Sequence, residues 1–134
     1  MKAMPNQSTC PFCATGQTGV VMANDHGFAV YDSHPVTPGH CLIVPKRHIA
    51  SFFEATGEEQ AALLGLVAGM RELLLAERNP DGFNIGINDG LAAGQTVMHL
   101  HVHLIPRYAG DTEDPRGGVR WIMPVKAPYW KNAK

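Results

Sequence analysis

The spacing of apolar residues changes along the chain, and each change marks an element. Val20-Val21-Met22-Ala23 and Phe28-Ala29-Val30-Tyr31 are short apolar runs separated by the turn-forming cluster Asn24-Asp25-His26-Gly27, which predicts a hairpin. A third run, Cys41-Leu42-Ile43-Val44, reads as a buried strand that stops at Pro45, a residue with no N–H to give to a ladder. From Glu58 to about Arg78 the period lengthens: Leu63, Val67, Met70 and Leu74 recur at steps of three and four, with Glu59, Gln60, Arg71, Glu72 and Glu77 elsewhere. This is one long amphipathic helix, with Thr56 and Gly57 as capping residues and Asn79-Pro80-Asp81-Gly82 as its stop. Phe83, Ile85 and Ile87 then alternate with Asn84, Gly86 and Asn88, the period of a strand with one buried face. After a loop over 89–96, Met98 to Ile105 predicts a fifth strand that ends at Pro106. Five strands joined by hairpin-like connections, with one main helix, predict an α+β fold around a mostly antiparallel sheet. The tail from Asp111, broken by Pro115, Gly117-Gly118, Pro124 and Pro128, is expected to be irregular and wrapped over the rest.

Composition narrows the function classes more than it selects one. At 134 residues, 45% hydrophobic and 17% charged, the chain fits one domain over 1–134, with 1–18 as an N-terminal segment and 107–134 as a tail. Eleven basic against twelve acidic residues give a net charge of -1, so no broad basic surface is expected for duplex nucleic acid. Neither a signal peptide nor a stretch of membrane-spanning length is visible, and three cysteines are too few for a secreted disulfide scaffold; the cytoplasm is the expected location. Cys10-Pro11-Phe12-Cys13 has the spacing of half a zinc site and also of a redox dithiol. The residues after it, Ala14 to Gly19, are poor helix material, unlike the helix that a thioredoxin-type pair opens. Cys41, inside an apolar run, reads as a core residue, and His26 and His34 as solvated turn residues.

The chemistry concentrates in His99-Leu100-His101-Val102-His103-Leu104. In a strand the three imidazoles share one face, over roughly 13 Å, while Leu100, Val102 and Leu104 share the other. A solvated sheet face could carry them, but imidazole is a nucleophile, base or metal ligand near neutral pH, and chemistry is the stronger reading. Two chemistries compete: a metal hydrolase with zinc held by this strand, and covalent attack on phosphorus by an imidazole. The flanking residues Met98, Ile105 and Pro106 supply no carboxylate for a metal centre. The preceding loop Gly94-Gln95-Thr96 offers amides and a hydroxyl for an oxyanion, which favours phosphorus chemistry.

Gly94-Gln95-Thr96-Val97-Met98-His99-Leu100-His101-Val102-His103 resembles the signature of the histidine triad family. Asp32 to His40, ending in Pro38-Gly39-His40, and Leu42 to Ile49, containing Pro45-Lys46-Arg47-His48, are similar to that family's nucleotide-binding stretch. The order matches from Cys10 to about Pro106. The resemblance implies the family's fold, with a five-stranded sheet, one long and one short helix and an extended C-terminal tail. It implies that His101 attacks the α-phosphorus of an adenine-containing nucleotide, a dinucleoside polyphosphate or a nucleoside phosphoramidate, with a nucleotidyl-histidine intermediate. His40 orients, His103, Gln95 and Thr96 assist at the phosphate, and Asp32, Asn88 and Gly94 bind substrate. No organic cofactor is implied, and a homodimer is. Nucleotidyltransferase branches of the family carry Gln where this chain has His103, so hydrolysis is favoured over transfer; a non-catalytic nucleotide-binding protein is the alternative of another class. Family members with a similar cysteine pair bind structural zinc, which here implies the set Cys10, Cys13, His48 and His99. Arg116 or Arg120 of the tail could lie over an anionic leaving group.

Overall fold

The computed structural model describes residues 9–15 and 18–132; the rest of the expected N-terminal segment and residues 133–134 lie outside the described residues. Five strands, β1 (Val20–Ala23), β2 (Gly27–Tyr31), β3 (Cys41–Pro45), β4 (Gly82–Gly86) and β5 (Val102–Arg107), form one antiparallel sheet in the order β1-β2-β3-β5-β4. The hairpin between β1 and β2 turns on Asn24, whose side-chain oxygen accepts from the amides of His26 and Gly27, both at 3.0 Å. Gly27 is required there by crowding: a Cβ would stand 2.8 Å from the Val44 carbonyl and 2.9 Å from Leu63.

Helix α2 (Gly57–Arg78) starts at Thr56 in a capping box with Glu59 and ends at Asn79 in the left-handed conformation, at the stop that the sequence predicts. Leu63, Val67, Met70 and Leu74 are buried, with Leu66 beside them, against Ala29, Ile43, Leu100, Val102 and Leu104 of the sheet. Each such side chain contributes about 1.5–3 kcal/mol on leaving water. Every residue of β3 is buried, as its unbroken apolar run implies, because Leu42 and Val44 join Phe28 in a second apolar cluster on the sheet's other face.

Several boundaries differ from expectation. β5 begins at Val102 rather than Met98, so His99 and His101 lie on the approach to it, where the Leu100 amide donates to the Ile49 carbonyl at 2.6 Å. The inward alternation of Leu100, Val102 and Leu104 persists through this approach. Pro45 and Pro106 sit inside their strands. Pro106 is tolerated because it lies past the residues that pair β5 with β3, and its carbonyl accepts from the Thr37 hydroxyl instead. β4 ends at Gly86, and Ile85, expected on a buried face, is 51% exposed; β4 is the sheet's edge, where that face is only partly covered.

The Cys-Pro-Phe-Cys segment also departs from its prediction. Pro11–Thr15 form a short helix, α1, with Pro11 at the first position, where a missing N–H costs nothing. The pair thus opens a helix after all, as both a zinc pair and a redox pair can. The tail is less irregular than expected, containing 3-10 turns at Gly118–Ile122 and Tyr129–Asn132. Arg116 and Arg120, expected near an anionic group, are used within the tail: their guanidinium carbons stand 4.6 Å from the Trp130 ring and 4.7 Å from the Tyr129 ring. No described helix is long and apolar enough to cross a membrane.

Candidate functional site

The peptide chain around His101 determines which of its ring nitrogens is reactive. Its Nδ1 lies 2.9 Å from the His99 carbonyl oxygen. A carbonyl can only accept, so Nδ1 carries the proton and Nε2 keeps a free lone pair. The ring is 9% exposed, packed between Phe12 at 5.1 Å and His103 at 5.1 Å between centroids. Phe12, one of the two residues between the paired cysteines, is a functional neighbour that the sequence does not single out; its only signal is an aromatic inside the motif.

His103 and His40 are ordered by the same kind of argument. The Val36 amide donates to His40 Nδ1 at 3.0 Å, so the proton of neutral His40 sits on Nε2. Nε2 in turn lies 3.0 Å from His103 Nδ1 and 3.4 Å from an Asp32 carboxylate oxygen. His103 Nδ1 therefore accepts, and its own proton is left on Nε2 as an outward donor. Burial first, then the neighbouring His101 and His40, pushes His103 down to about 4, with Asp32 opposing. Burial likewise lowers His40 against the pull of Asp32. Both rings are neutral near pH 7, which makes His103 a hydrogen-bond donor rather than a cation. Gly39 places His40: it has φ +91° and packs so closely on α2 that a Cβ would lie 2.9 Å from Leu74. The partners of His40 are thus Val36, His103 and Asp32, while the carbonyl of the first triad histidine, which the resemblance gives as acceptor for the His101 proton, lies against His101 Nδ1.

Other expected site residues divide. Asn88 is exposed and shares a cavity of about 1000 Å³ with His40 and His103. Asp32 accepts from the His34 amide at 2.9 Å besides facing His40. Gln95, expected at the phosphate, is 5% exposed and fully engaged. Its amide nitrogen donates to the carbonyls of Ala50 and Val97 at 2.9 and 3.1 Å, and its oxygen accepts from Gly90 at 2.8 Å. It braces the loop and has no donor left for an oxyanion. Gly94 and Thr96 are exposed on either side of it, and the Gly94 amide already donates to Leu91. Asp89 anchors that loop to the chain after β3 by accepting from the Ser51 hydroxyl and the Phe52 amide.

A second cluster lies behind the first histidine. His99 Nε2 donates to the Pro45 carbonyl at 2.8 Å, so Nδ1 presents a lone pair in the other direction. That lone pair faces Cys10 Sγ at 3.3 Å, Cys13 Sγ at 3.5 Å and His48 Nδ1 at 3.1 Å, and Cys13 Sγ is 3.3 Å from His48 Nδ1. All four donor atoms lie within 4.8 Å of one another. A tetrahedral ion with bonds of about 2.3 Å to sulfur and 2.0–2.1 Å to nitrogen separates its ligands by roughly 3.3–3.8 Å, so the set fits such an ion. His48 is placed by its neighbour Arg47, which holds the Glu59 carboxylate at 2.8 and 3.1 Å and the Glu54 carbonyl at 3.1 Å. Burial, then the adjacent Cys10, raises the Cys13 thiol above its usual range. Cys41 stands apart, fully buried and pushed up to about 12 by burial, an inert core thiol as expected. His34 is exposed, and the His26 side chain is 39% exposed.

Similarity to known proteins follows this layout. Residues 15–110 match the model of the HIT domain family. An AP-4-A phosphorylase of Mycobacterium tuberculosis is 32% identical over 120 residues, covering 83% of this chain and 62% of that protein. Among solved structures, a Zn-bound histidine triad family protein from Mycobacterium smegmatis superposes with a TM-score of 0.71 at 28% identity, covering 96% of this chain and all of that one. The diadenosine triphosphate hydrolase of Plasmodium falciparum superposes at 0.68 and 28% identity, covering 73% of this chain and 67% of that one. With its three alternating histidines on and leading into β5 and its five-stranded antiparallel sheet under one long helix, the chain belongs to the HIT domain family.

Proposed function

We propose that this protein is a nucleotide hydrolase that cleaves at the α-phosphate of a dinucleoside polyphosphate or a nucleoside phosphoramidate through a nucleotidyl-histidine. The observation that carries the reading is the bond from His101 Nδ1 to the His99 carbonyl, which leaves the lone pair on Nε2 to act as the nucleophile. Nε2 attacks phosphorus, an N–P bond forms and the bond to the leaving group breaks. Water then adds to phosphorus, the N–P bond breaks, and nucleoside monophosphate departs; the water proton goes to the leaving group or to solvent. His103, neutral with Nε2–H outward, donates a hydrogen bond to the phosphate, and Asn88, which lines the same cavity as His103, and Thr96, of the loop before the triad, are the candidates to add others. Asp32 at the end of β2 is the candidate for the ribose.

The cluster of Cys10, Cys13, His48 and His99 would hold zinc, whose contribution when bound is a crosslink between α1, the loop after β3 and the approach to β5. The Zn-bound relative supports that assignment. Thiols kept reduced in the cytoplasm suit it. The whole of 1–134 serves as one domain, and a second copy across the exposed edge β4, where Ile85 stands half exposed, is the candidate dimer contact.

The His101→Asn variant tests the chemistry: nucleoside monophosphate release should fall by at least about 1000-fold, and the adduct seen by acid-free mass spectrometry should vanish. Full activity in that variant refutes the proposal. The similarity to a phosphorylase supports a second reading, transfer to orthophosphate. Release of nucleoside diphosphate in phosphate buffer, in place of monophosphate, would select it.

A further inference from the structure

The proton order that starts at the Val36 amide depends on a turn with little packing of its own. Between the end of β2 and the start of β3 the side chains of Ser33, His34, Pro35 and Val36 are all exposed, Val36 by 71%. The Asp32 amide closes the base of this turn by donating to the His40 carbonyl at 3.0 Å. That bond holds the His40 peptide, but it does not fix where the Val36 amide stands over the ring. Thr37 is the first buried residue after β2. Its hydroxyl donates to the Pro106 carbonyl at 2.5 Å, and its own carbonyl accepts from the His40 amide at 3.1 Å. Thr37, next to Val36, thus binds the turn to β5, the strand that carries His103, and at the same time to His40.

A second tie runs beside the first. Tyr108 Oη donates to the Pro38 carbonyl at 2.7 Å. Tyr108 is itself braced: its amide donates to Asp111 at 3.0 Å, Arg107 grips the same carboxylate at 2.7 and 2.8 Å, and the Ala109 amide donates to Asp81 at 2.7 Å. The Thr37 bond is buried and the Tyr108 bond is open to water, so the first is the stronger constraint. A turn released from both would let the Val36 amide leave His40 Nδ1, and neutral His40 could then carry its proton there. Its Nε2 would become an acceptor, His103 would have to donate from Nδ1, and His103 Nε2 would present a lone pair where it now presents N–H.

We propose that Thr37, with Tyr108 as the weaker second tie, is a positioning residue that fixes the Val36 amide over His40 and so keeps His103 a donor. The use of that donor at a phosphate rests on the hydrolase reading above, whereas the control of the His103 tautomer does not.

The test compares the full chain as wild type, Thr37→Val, Thr37→Ser and Tyr108→Phe. Long-range nitrogen–proton NMR correlation near neutral pH reads which ring nitrogen of His40 and of His103 carries the proton. Wild type and Thr37→Ser should keep the His103 proton on Nε2; Thr37→Val should show a mixture with Nδ1, and Tyr108→Phe a smaller change in the same direction. With adenosine 5′-phosphoramidate or diadenosine tetraphosphate, whichever wild type cleaves faster, kcat should fall about 10-fold in Thr37→Val and about 3-fold in Tyr108→Phe. KM should stay within about 2-fold, and Thr37→Ser should recover most of the rate. A His103 proton wholly on Nε2 in both Thr37→Val and Tyr108→Phe overturns the proposal even where the rate falls, and so does a loss confined to KM. Should Thr37→Val not fold, the spectrum of Tyr108→Phe decides alone. Wild type that cleaves neither substrate, with tautomers shifting as expected in the variants, removes the hydrolase reading and supports the positioning role.

Discussion

Two clusters flank His101, the proposed nucleophile, and on paper they look alike: Cys10, Cys13, His48 and His99 on one side, Asp32, His40 and His103 on the other. Each gathers metal-ligating residue types within a few ångströms. They differ in where the protons lie. Behind His99 the Pro45 carbonyl takes the ring proton away, so the lone pair turns toward two thiols and a second imidazole. Around His40 the Val36 amide does the reverse, forcing a proton onto Nε2 in the middle of the cluster. The first arrangement suits a cation, and the second a chain of hydrogen bonds ending in an outward N–H donor. One backbone group per cluster, a carbonyl or an amide, decides between them.

The largest effect expected from breaking this contrast is on the first cluster. Cys10→Ser with Cys13→Ser should abolish zinc binding in metal analysis and lower stability by about 4 kcal/mol, the linkage expected when the ion is present at a thousand times its Kd. Wild type should bind one equivalent; a second one lost in His40→Phe would show that both clusters bind metal and erase the distinction. Next in size, His40→Phe removes the donor to His103 and should slow single-turnover cleavage roughly 10–100-fold with zinc content intact. Loss of zinc together with rate would mean that the clusters are not separate.

The smallest effect is on acid stability. His103 titrates at about 4 in the folded protein against an ordinary value near 6.5, so between those values the unfolded chain binds the extra proton. The contribution from His103 is therefore complete above about pH 6.5 and declines as pH falls toward 4, and His40, lowered for the same reason, adds in the same direction. Denaturation midpoints of wild type and His103→Gln should diverge least at acid pH. An NMR titration of His103 near 6.5 would remove the basis for treating it as a neutral donor.

What could be read in the sequence is what depends on period and on local chemistry. The three-and-four spacing of Leu63, Val67, Met70 and Leu74 fixes a helix face because every turn repeats the same demand for burial. The alternation around the histidines survives even though the ladder starts only at Val102, since pleating does not require a hydrogen-bonded neighbour. What stayed hidden depends on partners distant in sequence. Ile85 alternates like a buried residue, and only its place on the sheet's edge exposes it. Gln95 carries the right groups for an oxyanion, yet the carbonyls of Ala50 and Val97 and the amide of Gly90 take them. The amide of Val36 has no side-chain signature at all, although it sets the proton order of His40. The metal set came from family resemblance, because a cysteine pair opening a short helix does not by itself name its other ligands.

His99 serves the thiol cluster and His101 through different atoms: its ring faces the thiols, and its carbonyl holds the proton of His101. Side chain and carbonyl belong to one residue, so the two commitments cannot be adjusted separately. A substitution that preserved the ring's ligand geometry while tilting its peptide would leave a metal assay unchanged and turn the nucleophile to its other tautomer. The first histidine is thus a mechanical joint as well as a proposed ligand.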